Sequence, residues 1–243
     1  MICLLTETDS TIWIRIKYHF KNFLDDRIKS IERLTVGDFE LNPFLIATIK
    51  NQMKLETPYD VSQWLVRQRI ERGLVTGFGS TLQNVAKEFS VEKPLPGLTM
   101  KLKKGRKVYN LMIKSGPNPY PMQPAVDMQR ILLDTIKKEP NSIPIFCMCY
   151  GNENAVSQIV KTYMKDVKHL VGKDFWTFIS GDTNCQKKIL EIAKELGANY
   201  KDKKGNTLNQ IIEKKIVEME KELKQLYGSD VGTFWKKLFE DVY

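Results

Sequence analysis

The first third of the chain carries its apolar residues at helical spacing. Ile12, Ile16, Phe20, Leu24 and Ile28 recur every fourth position, which predicts a helix over 11–34 with one apolar face. Pro43 sits where a first helical turn tolerates proline, and a second helix is predicted over 43–54. Val61, Trp64, Leu65 and Gln68 keep helical register and predict a third over 60–71. The stretch Gly73 to Thr81 holds three glycines and reads as a flexible turn. Ser80 or Thr81 would then cap a helix over 82–89.

After Pro94, Pro96 and Gly97 the period changes to two. Leu98, Met100 and Leu102 alternate with Thr99, Lys101 and Lys103, Lys104-Gly105 supplies a turn, and Val108 to Lys114 returns. Ser115 to Pro121 can continue neither strand nor helix. A helix is predicted over 124–138 with Val126, Ile131, Leu132 and Leu133 inward, and then a strand over 143–150. Helices over 153–170 and 183–198 flank the segment 172–181, and a C-terminal helix follows. A strand–helix–strand unit of this kind makes a parallel crossover. The pattern predicts one α/β domain, with a helical N-terminal extension over 1–72, a core over 73–200 and C-terminal helices over 201–243.

Composition narrows the class. Of 243 residues 42% are hydrophobic, too many for a disordered chain and enough for a sizeable core. The net charge of +9 favours an anionic partner. It is local: from 93 to 126 there are seven Lys or Arg and no acid. The region 201–243, with nine Lys and eight acids, is nearly balanced. There Leu208, Ile212, Ile216, Met219, Leu223 and Leu226 form a stripe, and Glu220 and Lys224 an i,i+4 pair, as in an amphipathic packing helix. No run is long and apolar enough to span a membrane, and the N-terminus lacks a signal-peptide pattern. Cys3, Cys147, Cys149 and Cys185 have no zinc-ligand spacing and read as buried, reduced thiols. The expectation is a cytoplasmic protein.

The segment that carries chemistry is Leu111-Met-Ile-Lys114-Ser-Gly-Pro-Asn118. A lysine ending an apolar strand is expensive to bury, so its ammonium should face a polar cleft and an anion. The two histidines, His19 and His169, offer no metalloprotease or triad spacing. Gly77-Phe-Gly79 lacks the third glycine of a dinucleotide fingerprint.

Lys114-Ser-Gly-Pro-Asn118, Tyr150-Gly151 and Phe175-Trp176 with Gly181-Asp182 together resemble type II restriction endonucleases of the PD-(D/E)xK superfamily. The likeness covers roughly 70–200 and is nearest the group with the Lys-Ser-Gly-Pro-Asn signature, the TdeIII and MjaII type. The resemblance implies a restriction-endonuclease-like core, a mixed central sheet flanked by helices. It implies Mg²⁺-dependent cleavage of both strands of DNA at a short palindrome, possibly of the GGNCC kind. A homodimer and a cognate DNA methyltransferase are implied with it. Lys114 would be the superfamily lysine at the scissile phosphate.

The carboxylates of the pattern are where this sequence departs from it. Met112 stands two residues before Lys114, Thr99 stands on the preceding strand, and Gln83 stands where the preceding helix often has Glu. Asp127, first acid after the basic stretch, is the leading candidate for both metal and catalysis, with Gln83 lining the site. Glu88 is the second metal candidate and Asp134 the third. Lys101, Lys103, Lys104, Arg106 and Lys107 would neutralise phosphates. Ser115, Asn118, Gln123 and Arg130 are the further DNA-binding candidates. Two alternatives stand beside cleavage: DNA binding on a nuclease scaffold without hydrolysis, and a module for RNA or an acidic partner.

Overall fold

The computed structural model describes residues 7–90, 92–117 and 121–240. Packing sorts the chain into two compact units, 1–21 with 77–199 and 22–76 with 200–243. The first holds a mixed four-stranded sheet with flanking helices, the α/β fold that the pattern predicts. β1 (Met100–Lys104) and β2 (Lys107–Lys114) pair antiparallel across Gly105. The helix α4 (Met122–Lys138) carries the chain back so that β3 (Ser142–Met148) runs parallel to β2. β4 (Lys168–Val171) then runs parallel to β3, giving the order β1-β2-β3-β4.

Alternation along β2 gives each face of the sheet its own core. Leu111 and Ile113 join Met100, Leu102, Ile145 and Cys147 on one face. There they meet this unit's parts of α1 (Glu7–Glu32) and α3 (Pro58–Lys87), and α6 (Lys173–Ser180) and α7 (Cys185–Asn199). Asn110, Met112 and Lys114 point to the other face. On it Met112 packs with Phe146 and Met148 against Ala125, Met128 and Leu132 of α4 and Val160 of α5 (Gln158–Tyr163). The thiols of Cys147, Cys149 and Cys185 are free and buried. Burial pushes Cys149 up to about 12 and Cys185 to about 11, so both stay protonated. Cys3 lies outside the described residues.

In the second unit α2 (Pro43–Ile49), α8 (Leu208–Tyr227) and α9 (Val231–Glu240) pack with the remaining parts of α1 and α3 around Ile46, Leu65, Ile216 and Phe234. The predicted stripe of α8 is buried at Ile216, Met219 and Leu223, but Leu226 is exposed. Glu220 and Lys224 form the expected ion pair at 2.6 Å. Lys215 is buried and donates to the carbonyls of Glu32 at 2.8 Å and Leu34 at 3.3 Å. It satisfies acceptors that the end of α1 leaves open.

Three elements differ from the sequence expectation. The glycines from 73 to 81 lie inside α3, which is one helix of 30 residues. Each helical glycine costs about 1 kcal/mol relative to alanine, and close approach explains two of them. A Cβ on Gly73 would stand 3.0 Å from the Arg27 guanidinium, and one on Gly79 2.9 Å from Ser115 Oγ. The predicted helix over 153–170 is instead a single 3₁₀ turn, α5 and β4. Val156, Val160, Met164, Val167 and Val171 are spaced as on a helix and all bury in one cluster. A turn at Met164–Val167 and an edge strand bury them as well as a continuous helix would. Residues 43–54 end as helix at Ile49, and Lys54 takes a left-handed φ of 52°.

The turn from β4 into α6 admits only glycine. Gly172 has φ +55°, donates to Met148 O at 2.9 Å, and a Cβ there would lie 2.5 Å from Gly151 O. Gly172→Ala is therefore expected to lower stability by at least about 2 kcal/mol, measured by urea unfolding. An unchanged midpoint would show that the two loops can part without loss.

Candidate functional site

The carboxyl ends of the three parallel strands lie level. Lys114 pairs in register with Met148, and Met148 with Val171. In open α/β sheets this edge is where ligands bind. The loops that leave it are locked together. Tyr150 lies on Gly116, where any side chain would run into the ring, and a Cβ on Gly151 would stand 3.6 Å from Pro117 Cδ. Trp176 Nε1 donates to Cys149 O at 2.7 Å, tying α6 to the end of β3. The glycine after each apolar strand run (Gly116, Gly151, Gly172) was the sequence signal for this convergence. Gly116 and Gly151 belong to the motifs Lys114-Ser-Gly-Pro-Asn118 and Tyr150-Gly151 that the sequence singles out.

Lys114 stands at this edge, half-buried, and its ammonium forms no ion pair or hydrogen bond with a described residue. Burial alone lowers its pKa. A second lysine on the same sheet face shows what pairing does. Lys101, opposite Asn110, is held at 2.6 Å by Glu139 and at 3.3 Å by Glu92. The Glu139 hydrogen bond raises the Lys101 pKa. Asn110 Nδ2 completes this network by donating to Glu139 at 3.0 Å. One end of the face thus has a cation paired with carboxylates, the other a half-buried cation without an ion pair to a described residue.

Thr99 and Met112 are Lys114's neighbours on this face. Thr99 immediately precedes β1 and reaches β2 on either side of Met112, its N donating to Leu111 O at 3.0 Å. Thr99 Oγ1 accepts from Ile113 N at 3.0 Å and reaches Ile113 O at 3.4 Å. Met112 is 3% exposed, inside the apolar layer under α4. Neither a hydroxyl engaged by backbone nor a buried thioether suits Mg²⁺, which takes carboxylate and phosphate oxygens. Among the described residues no three His, Cys, Asp or Glu gather as a metal would require. The residues on the sheet do not fit the ion.

The other candidates fall into separate groups. Asp127 lies in the second turn of α4, where Gln123 Nε2 and Arg130 Nη2 each donate to its Oδ1 at 3.3 Å. Because Glu139 at the far end of α4 meets Lys101 and Asn110, α4 runs antiparallel to β2 and its first turns lie toward Lys114. Asp134 pairs with Lys137 at 2.8 Å. Gln83 is half-buried on α3, one turn beyond the contact of Gly79 with Ser115. Glu88 is held by His19 Nε2 at 2.6 Å and Arg15 Nε at 2.5 Å. Burial would raise its pKa, but these two partners lower it. It stands with α1, on the side of the sheet away from Lys114. Asn118 lies outside the described residues.

The basic hairpin stands at the opposite end of the sheet. Lys107 and Lys114 are the two ends of β2, about 23 Å apart at the strand rise of 3.3 Å per residue. Lys103, Lys104, Arg106 and Lys107 are exposed and form no ion pair with a described residue. Lys104 Nζ lies 4.5 Å over the Phe178 ring, and burial lowers its pKa. Lys101 is committed to Glu139 and Glu92, which leaves it poorly placed to neutralise a phosphate.

A mixed sheet with helices on both sides is an α/β fold, and it carries a half-buried lysine at its carboxyl edge. The comparisons agree. The family model of type II restriction endonuclease EcoO109I matches residues 11–204. That is well over half of the chain, and the chain belongs to this family of site-specific DNA nucleases. No match was found among curated proteins. No helix among the described residues is long and apolar enough to cross a membrane.

The unpaired ammonium has a stability signature. The folded pKa of Lys114 is lowered, so between that value and the ordinary lysine value near 10.4 the unfolded chain binds more protons. The penalty is fully present below the lowered value and is relieved as pH rises through the window. Lys114→Met should therefore raise Tm at pH 7 by roughly 2 °C, and the gain should shrink as pH approaches 10. A fall in Tm at pH 7 would mean that Lys114 has a partner in the folded chain.

Proposed function

We propose that this chain acts on duplex DNA at a short palindromic site, as a homodimer, and that Lys114 meets the phosphate to be cut. The observation that carries the reading is the half-buried, unpartnered ammonium at the carboxyl edge of the sheet. A phosphate there replaces the hydration that burial has removed. Lys114 orients the attacking water and offsets the negative charge that develops on the phosphoryl oxygens during hydrolysis. Asp127, at the Lys114 end of α4, is the carboxylate offered for general base or Mg²⁺ duty. Lys103, Lys104, Arg106 and Lys107 contact backbone phosphates away from the cut. Ser115, Gln123 and Arg130 stand nearer Lys114. Family likeness supports Mg²⁺ as cofactor, a target of the GGNCC kind and a protecting methyltransferase. The likeness to the TdeIII and MjaII type rests on the Lys-Ser-Gly-Pro-Asn signature alone.

A second reading is binding without hydrolysis. Thr99 and Met112, at the places where the superfamily carries acids, favour it. One experiment separates the two. The wild type, Lys114→Ala and Asp127→Asn are incubated with plasmid and Mg²⁺, and duplex binding is followed in EDTA over a salt series. The wild type is expected to bind with steep salt dependence, and Lys114→Ala to flatten the log–log slope by about 0.9. Discrete fragments that vanish in Lys114→Ala establish cleavage. Binding without fragments establishes the second reading. Absence of salt-sensitive binding overturns both. Fragments that persist in Asp127→Asn remove Asp127 from the reaction.

A set of charge reversals tests the hairpin. Lys103→Glu with Arg106→Glu should weaken binding of all duplexes alike by roughly tenfold or more at low salt, read by fluorescence anisotropy. A change in sequence preference instead would place the hairpin among the base-reading elements.

A further inference from the structure

We infer that the sheet face beside Lys114 has lost the acidic half of a divalent-metal site, that the free protein holds no Mg²⁺ there, and that Thr99 and Met112 are the two positions where acids rebuild it. The inference rests on family membership and on Lys114 being the phosphate-facing lysine. It concerns metal binding by the free chain, which is measured apart from DNA.

Three positions converge. Thr99 lies across from Met112, bonded to the residues on both sides of it, Leu111 O through its N and Ile113 N through its hydroxyl. Lys114 is two residues further along the same face, about 7 Å on. Of the side chains at 99, 112 and 114, only Thr99 offers a cation an oxygen, and its hydroxyl is already engaged by both backbone groups of Ile113. On Met112 it would find a soft thioether among Ala125, Met128, Phe146 and Met148. It would also meet an ammonium that no acid among the described residues neutralises. Two positive centres a few ångströms apart in a half-buried site repel strongly. The nearest carboxylate assigned on α4, Asp127, already shares one oxygen between Gln123 and Arg130. Acids at 99 and 112 would change every one of these terms: they give Lys114 a partner and a hard cation two anionic ligands.

The test uses Mn²⁺ and Mg²⁺ with the full chain and no DNA, by calorimetric titration and thermal melting. The variants are Thr99→Asp with Met112→Glu, and the uncharged counterpart Thr99→Asn with Met112→Gln. The wild type is expected to give no saturable heat. The acidic pair is expected to bind Mn²⁺ roughly tenfold more tightly or better and to melt higher when Mn²⁺ is present. The amide pair is expected to do neither. Met112 is buried, so the acidic pair can fail to fold without metal. Thr99→Asp alone, at a half-exposed position, then carries the test, with a smaller cation-dependent rise in Tm that Thr99→Asn lacks. Saturable Mn²⁺ binding by the wild type that Asp127→Asn abolishes overturns the inference. So does a folded acidic variant that melts alike with and without cation. Failure of the wild type to bind DNA in EDTA would sink the proposed function and leave the metal result as measured.

Discussion

The level ending of β2, β3 and β4 sets what the rest of the molecule can do. Parallel pairing puts Lys114, Met148 and Val171 side by side, so the three loops that follow leave from one edge. Those loops touch because the closest approaches are made at glycine. Gly116 accepts the Tyr150 ring, and Gly172 accepts the Gly151 carbonyl. With the loops locked, Lys114 is half-buried, and its ammonium forms no ion pair with an acid among the described residues.

Lys101 and Lys114 show how strongly position decides the behaviour of one residue type. Both point to the α4 side of the sheet. Glu139, the residue after α4, reaches Lys101 and Asn110 and closes a network of charge-assisted hydrogen bonds. The same helix presents its first turns to the Lys114 end, where its Asp127 turns to Gln123 and Arg130. The pKa of one lysine is raised and that of the other lowered. This asymmetry, more than the net charge of +9, separates a cation tied into an ion-pair network from one that burial alone perturbs.

The positive stretch 93–126 is continuous in sequence and divided in space. Its hairpin cations gather at one end of the sheet and Lys114 stands at the other. A duplex that runs along the sheet would meet both, and each phosphate neutralised at either end would release counterions and add alike to the salt dependence.

Periodicity by itself determined a good deal. The alternation from Leu98 to Lys114 defined the hairpin and put Thr99, Met112 and Lys114 on strands, and the signature after Lys114 pointed to the family. Helical stripes placed α1, α4, α7 and α8. What periodicity could not decide was contact. The glycines of α3 read as a turn because a sequence does not show that Arg27 and Ser115 crowd them. β4 hid inside a helical stripe because burial in one cluster produces that spacing whatever the backbone does. Glu88 looked free until His19 and Arg15, some 70 positions away, folded onto it. Register across strands and pairing between distant charges arise only when the chain closes on itself, and these are the terms that tie Lys101 to Glu139 and leave the Lys114 ammonium without an ion pair among the described residues.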